Sequence, residues 1–64
     1  MNIKQLITNA QHDEDYAALD VYNKILETSQ KYKISIQQSI DKLLRKEKRH
    51  FIVNLLNTCK VVLR

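Results

Sequence analysis

The sequence predicts an all-α protein, in which a short N-terminal helix precedes a helical hairpin with a long, basic C-terminal helix. Two observations favour this class. The 64 residues include no glycine and no proline, whereas an all-β domain needs a turn about every ten residues and builds it from such residues. Apolar residues also recur at helical spacing along the whole chain. The length corresponds to one domain, residues 1–64.

The first two helices are predicted from apolar stripes and from the acidic residues between them. An apolar stripe over residues 2–10 predicts the first helix. Asp13 is suited to cap a second helix, because its carboxylate can accept hydrogen bonds from the free backbone amides. Glu14 and Asp15 would then lie in the first turn, where the helix dipole favours anions. We expect this second helix to cover residues 14–31.

The third helix is predicted to begin after Ser35, because Gln38 follows three residues later and completes a capping-box pattern. The apolar stripe then continues almost to the C-terminus and predicts one helix over residues 36–63, about 42 Å long at 1.5 Å per residue. The second helix is shorter, so a hairpin of the two leaves one end of the long helix uncovered. The alternative is a break near Arg49 and His50.

The C-terminal segment is strongly apolar. Nine of the last 14 residues, FIVNLLNTCKVVLR, are apolar, and on a helix they form two stripes about 100° apart. The stripe with Phe51 is expected to face the hairpin, and the other stripe projects away from it. Two apolar stripes require that the helix is buried on two sides. A chain with one cysteine also lacks an internal disulfide that could stabilise a small core. We therefore expect a homodimer with these interface residues: Ile52, Leu56, Leu63, Phe51 and Tyr16.

Charge is distributed unevenly along the chain. Residues 1–32 carry three bases and five acids, whereas residues 33–64 carry eight bases and two acids. On the predicted long helix, one stripe opposite the apolar residues holds Lys42, Arg45, Lys46 and Arg49. This stripe could bind phosphate groups or an acidic protein surface such as Asp13–Asp15 of another copy. Alternatively, it is a helix face that is exposed to solvent. No aromatic residue is interleaved with the run, which disfavours stacking on single-stranded bases.

The segment KYKISIQQSIDKLLRK resembles the turn and recognition helix of a helix-turn-helix motif. This resemblance implies that Gln37, Gln38, Asp41 and Lys42 face the groove of DNA. The segment departs from the motif in two places: Lys33 stands where the turn usually has glycine, and Ser39 is polar at a core position. A ribbon-helix-helix arrangement, with residues 31–36 as the strand, fits less well because that strand would lie in the middle of the chain.

The sequence has no pattern typical of catalysis or of a cofactor. Without glycine, a Walker loop, a dinucleotide-binding fingerprint and a nucleophile elbow are excluded. Consecutive residues diverge around a helix, so we interpret His12–Asp15 as a helix start and not as a metal site. Cys59 has no histidine or second cysteine nearby in sequence and is predicted to be a small buried side chain. We expect no enzyme activity, cofactor, metal or small-molecule substrate.

These observations favour a small interaction module that self-associates and binds or regulates a partner protein. The first alternative is a nucleic-acid-binding regulator that uses the basic stripe. The second is a peripheral membrane protein that uses residues 51–63 as an amphipathic helix. No stretch reaches the roughly 18 apolar residues needed to span a bilayer, and a single cysteine without a signal peptide favours the cytoplasm.

Overall fold

Four helices joined by three short connections make up the computed structural model of the chain, which describes all 64 residues. The helices are α1 (Ile3–His12), α2 (Tyr16–Tyr32), α3 (Ile36–Lys46) and α4 (His50–Val62). No strand is present, so the predicted all-α class is confirmed. None of the four helices combines the length and the apolar character that crossing a bilayer requires.

The connection between α1 and α2 differs from the prediction in its capping residue. α1 continues to His12, two residues beyond the predicted end, and the amide of Asp13 still donates a 2.9 Å hydrogen bond to the Asn9 carbonyl. Asp13 therefore closes α1, and the prediction that it caps α2 is wrong. The cap is Asp15, whose carboxylate accepts a 3.3 Å hydrogen bond from the amide of Ala18.

The connection between α2 and α3 is a tight turn fixed by hydrogen bonds. Lys33 adopts the left-handed conformation, with φ 55° and ψ 45°, which reverses the chain direction at the end of α2. The Ile34 amide donates to the Ser29 carbonyl at 3.0 Å, and the Ser29 hydroxyl donates to the Ile34 carbonyl at 2.6 Å. The predicted capping box of Ser35 and Gln38 is confirmed at the start of α3.

The predicted single helix over residues 36–63 is wrong, because the chain breaks between α3 and α4. Glu47 leaves the helical conformation, with φ −82° and ψ 133°. Its carboxylate accepts hydrogen bonds from the backbone amides of Lys48 (3.2 Å) and Arg49 (3.1 Å), and from the Arg49 Nε (3.1 Å). This carboxylate replaces intrahelical partners that the two amides lose at the break. The chain therefore follows the alternative, a break just before His50.

The break turns α4 back over α2 and α3 and closes the core within one chain. The completely buried residues at its centre include Ile25 and Ile40. Ile52 and Leu56 pack in the same core cluster, which corrects the expectation that a second copy is needed to cover them. The radius of gyration is 10.8 Å, and a compact chain of this length has a value of about 10.7 Å. Most of the core thus forms without a partner.

Candidate functional site

The five residues predicted for a protein interface fall into two groups. Ile52 and Leu56 are only 5% and 1% exposed, and Leu63 is partly buried against the core, so these three contact the chain's own helices. Phe51 and Tyr16 are 56% and 67% exposed. Because the chain breaks before α4, α4 is oriented differently from α3. The stripe with Phe51 was expected to face the hairpin, but it faces solvent.

An open apolar groove lies between α2 and α4. Its volume is about 410 Å³, and its lining comprises Asp15, Ala17, Ala18, Tyr22, Phe51, Asn54, Leu55 and Thr58. We call this feature the apolar groove. On α4, Phe51, Leu55 and Thr58 recur at helical spacing, and Val62, which is 40% exposed, continues the same stripe by another turn. The groove therefore lies along a mainly apolar stripe on one side of α4, in which Asn54 and Thr58 are the polar members of the lining.

The two helices that form the groove run in roughly the same direction. α3 folds back on α2, with Ser39 bonded to the Ile25 carbonyl. α4 in turn folds back on α3, since Lys60 near the end of α4 binds Gln37 and Asp41 near the start of α3. The first turns of α2 and α4 therefore lie towards the same end of the groove.

Acidic and basic residues lie at the same end of the groove, where α2 and α4 begin. Asp15 lines the groove at the N-terminus of α2, and Asp13 and Glu14 directly precede Asp15 in an exposed turn. The exposed side chains of Lys48 and Arg49 lie just before the first turn of α4, which carries Phe51. The groove therefore has one end with charges of both signs, and the α4 stripe continues away from that end towards Val62.

Two ionisable side chains near the groove have raised pKa values. Burial is the main cause for Tyr22, and the pKa of its hydroxyl is raised further by the Cys59 thiolate, which forms only at high pH, and by the Asp15 carboxylate. Burial also raises the pKa of the Cys59 thiol. Both groups stay protonated at neutral pH, and a thiol that stays protonated is a weak nucleophile. Their contribution at this position is packing.

The predicted basic stripe is only partly retained. Lys42, Arg45 and Lys46 lie on α3, but Arg49 lies beyond its end, at the N-cap of α4, where it forms an ion pair with Glu47. The expectation of four cations on one continuous helix face is therefore corrected to three. The reason is the break at Glu47, which the apolar periodicity of the sequence does not show.

An aromatic residue lies among these cations, contrary to what the sequence indicated. The Lys42 Nζ lies 4.5 Å from the centroid of the Tyr32 ring, and the Lys31 Nζ lies 5.4 Å from it. Lys33 follows Tyr32 in the turn. We call this surface the basic face and define it by Lys31, Tyr32, Lys33, Lys42, Arg45 and Lys46. The triplet Lys31–Lys33 was visible in the sequence, but its proximity to α3 depends on the tight turn.

The polar residues predicted to face a DNA groove are mostly engaged inside the chain. The Gln37 side-chain amide donates to the Lys60 carbonyl at 3.0 Å, and the Lys60 Nζ donates to Asp41 at 2.6 Å. Gln38 accepts a hydrogen bond from the Ser35 amide as part of the capping box. These contacts hold the end of α4 against α3. Among the four residues predicted to face a DNA groove, Lys42 is the one without a hydrogen bond or salt bridge, and its ammonium lies over the Tyr32 ring.

Comparison with known proteins adds no assignment. No family model, curated protein or solved structure matches the chain. No group of three or more His, Cys, Asp and Glu side chains is placed to hold a metal ion. The apolar groove and the basic face are the two surface features that stand out by their apolar lining and by their charge.

Proposed function

We propose that the protein is a small interaction module that forms a homodimer through the apolar groove. The observation that carries this proposal is the exposure of the α4 stripe, in which Phe51 stays more than half exposed beside Leu55 and the Tyr22 ring. Water contact with such a strip is unfavourable by about 25 cal/mol for each Å² of apolar surface. Covering it on both copies supplies the driving force for association.

The shape of the α4 stripe favours a second copy as the occupant. In a two-fold symmetric pair, each surface patch meets the same patch in reverse. An axis through the middle of the stripe, near Leu55, would pack α4 of one copy antiparallel to α4 of its partner. Phe51 of one copy would then meet Val62 of the other, so the stripe would cover itself along its whole length.

The expected dimer is weak. Each large side chain that becomes fully buried contributes about 1.5–3 kcal/mol, and Phe51, Leu55 and Val62 from two copies provide six such side chains, all partly buried already. Association itself costs about 4–15 kcal/mol in lost freedom of motion. This cost offsets most of the gain, so we expect association in the high-micromolar to millimolar range.

The remaining parts of the proposal concern the cellular role. We propose an interaction module and not an enzyme, and this is supported by the three connections, which cover only residues 13–15, 33–35 and 47–49 and give little loop in which to build a catalytic pocket. A free, buried Cys59 fits the reducing cytoplasm. A further partner protein, which the sequence also favours, stays a prediction.

A charge at the far end of the α4 stripe tests the proposed dimer. Val62→Glu is expected to weaken the dimer about 5- to 30-fold, because the dimer would bury an unpaired carboxylate against the stripe of the partner. Val61→Glu, at an exposed valine of the same helix outside the stripe, is the matched control and should dimerise like the original protein. Sedimentation equilibrium measures all three proteins. Equal losses in the two variants would contradict the proposed interface.

A further inference from the structure

The basic face carries charge that the chain itself does not neutralise. Two acids lie on α3 and the adjoining break, and each is already paired: Asp41 with Lys60 and Glu47 with Arg49. No salt bridge involves any of the five cations of the basic face. This surface therefore keeps a positive potential, while most of the acids lie in the N-terminal half of the chain.

The basic face also includes an exposed aromatic ring. Tyr32 is 48% exposed and lies at the end of α2, between Lys31 and Lys33 in sequence and next to Lys42 of α3 in space. Arg45 and Lys42 line a shallow surface depression together with Ile34, Gln38 and Asp41, whose carboxylate is paired with Lys60. Cations thus surround the ring on two helices and on the turn that joins them.

This combination matches the requirements of single-stranded nucleic acid. Lysine and arginine side chains bind the phosphate backbone, and an exposed aromatic ring stacks on a base whatever its identity. Sequence-specific reading of a duplex requires polar side chains that are free to bond base edges. Gln37 and Asp41 are engaged by Lys60, and Gln38 by the Ser35 cap, so this face favours phosphates and base stacking.

We propose that the basic face binds single-stranded nucleic acid without sequence preference, with a base taking the place of the Lys42 ammonium over the Tyr32 ring and phosphates bound by Lys33, Lys42 and Arg45. This proposal is independent of the dimer, because the basic face and the apolar groove share no residue. The ligand is identified by its chemistry, a chain of phosphates that carries unstacked bases.

Fluorescence anisotropy with a labelled oligothymidylate tests the stacking contact. Tyr32→Leu is expected to weaken binding at low salt by about 5- to 100-fold, since it removes a base–ring contact and keeps an apolar side chain of comparable size. Tyr32→Phe keeps the ring and is expected to bind like the original protein. Circular dichroism shows whether each variant is folded, and a folded Tyr32→Leu variant with unchanged affinity would overturn the proposal.

The salt dependence of the same titration tests the phosphate contacts. A plot of log K against log salt has a negative slope, and Lys42→Ala should reduce the magnitude of that slope by about 0.7, the value expected for one lost phosphate contact with a single strand. Lys4→Ala, a change of an exposed lysine on α1, is the matched control and should leave the slope unchanged. Three results would overturn the proposal: a hairpin duplex that binds more tightly than the single strand, polyglutamate that competes as well as the oligonucleotide, or no binding at low salt.

Discussion

The Ser39 hydroxyl donates a 2.6 Å hydrogen bond to the carbonyl oxygen of Ile25, between α3 and α2. Both residues have no exposed surface at all. A small side chain at this position lets α3 approach the backbone of α2 closely, and the hydrogen bond satisfies a hydroxyl that water cannot reach. In the sequence, Ser39 departs from the helix-turn-helix pattern because it is polar at a core position. In this fold it is nevertheless a core residue.

Replacement of Ser39 should destabilise the chain in two different ways. Ser39→Ala removes the buried hydrogen bond and is expected to cost about 1 kcal/mol of unfolding free energy. Ser39→Leu inserts three more carbon atoms into a filled position and is expected to cost at least about 1–3 kcal/mol. Urea unfolding followed by circular dichroism measures both changes.

Thr58→Ala is the matched control for the serine variants. The Thr58 hydroxyl donates a 3.0 Å hydrogen bond to the Asn54 carbonyl, but on an exposed surface, so its loss should change stability by no more than about 0.5 kcal/mol. Equal effects of Ser39→Ala and Thr58→Ala would show that burial of the Ser39 hydroxyl does not matter.

Lys33 is expected to be replaceable by glycine with a gain in stability. Its φ of 55° lies in the left-handed region, which costs a residue with a side chain about 1–2 kcal/mol. Glycine avoids that cost but loses more freedom on folding, so Lys33→Gly should raise the unfolding free energy by about 0.5–1 kcal/mol. Lys31→Gly, within the last turn of α2, should lower it by about 1 kcal/mol. A loss of stability in Lys33→Gly would contradict the assigned turn.

The break at Glu47 predicts a specific dependence of stability on pH. The hydrogen bond from the Arg49 side chain is the largest cause that lowers the pKa of the Glu47 carboxyl below its ordinary value of 4.5, and the backbone amide of Arg49 adds to it. A carboxyl with a lowered pKa stabilises the folded state above its ordinary pKa, and this contribution is lost as the pH falls through the pKa of the folded state.

Glu47→Gln tests this dependence directly. The variant should be less stable than the original protein at neutral pH, and the difference should disappear as the pH is lowered past the ordinary range of a glutamate. Thermal unfolding at a series of pH values measures the difference. Glu27→Gln, an exposed acid on α2 without a salt bridge, is the control. A Glu47→Gln difference that stays constant with pH would contradict the role of the carboxylate.

Local sequence patterns predicted the beginnings of helices better than their ends. The capping box of Ser35 and Gln38 lies within four residues and needs no tertiary contact, so it could be predicted. The break at Glu47 could not be predicted from glycine or proline, because the chain has neither. The available indication was the run of six polar residues over 45–50, which interrupts the apolar stripe for more than one helical turn.

The functional surfaces depended more strongly on tertiary structure. Once the long helix was assumed, the stripe with Phe51 was assigned to the core, and the stripe with Ile52 and Leu56 was assigned to an interface. The break exchanges these roles. The contact between Tyr32 and Lys42 likewise spans ten positions and forms only because the turn at Lys33 folds α3 back beside the end of α2.

The central claim is that a second copy covers the apolar groove, and sedimentation equilibrium over micromolar to millimolar concentrations tests it most directly. The original chain of 7.6 kDa should approach twice that mass. Phe51→Glu should remain monomeric and folded, while Val61→Glu, a change at a valine that is 64% exposed on the same helix but outside the groove lining, should still dimerise. A folded original chain that stays monomeric throughout, or equal association of the two variants, would contradict the claim.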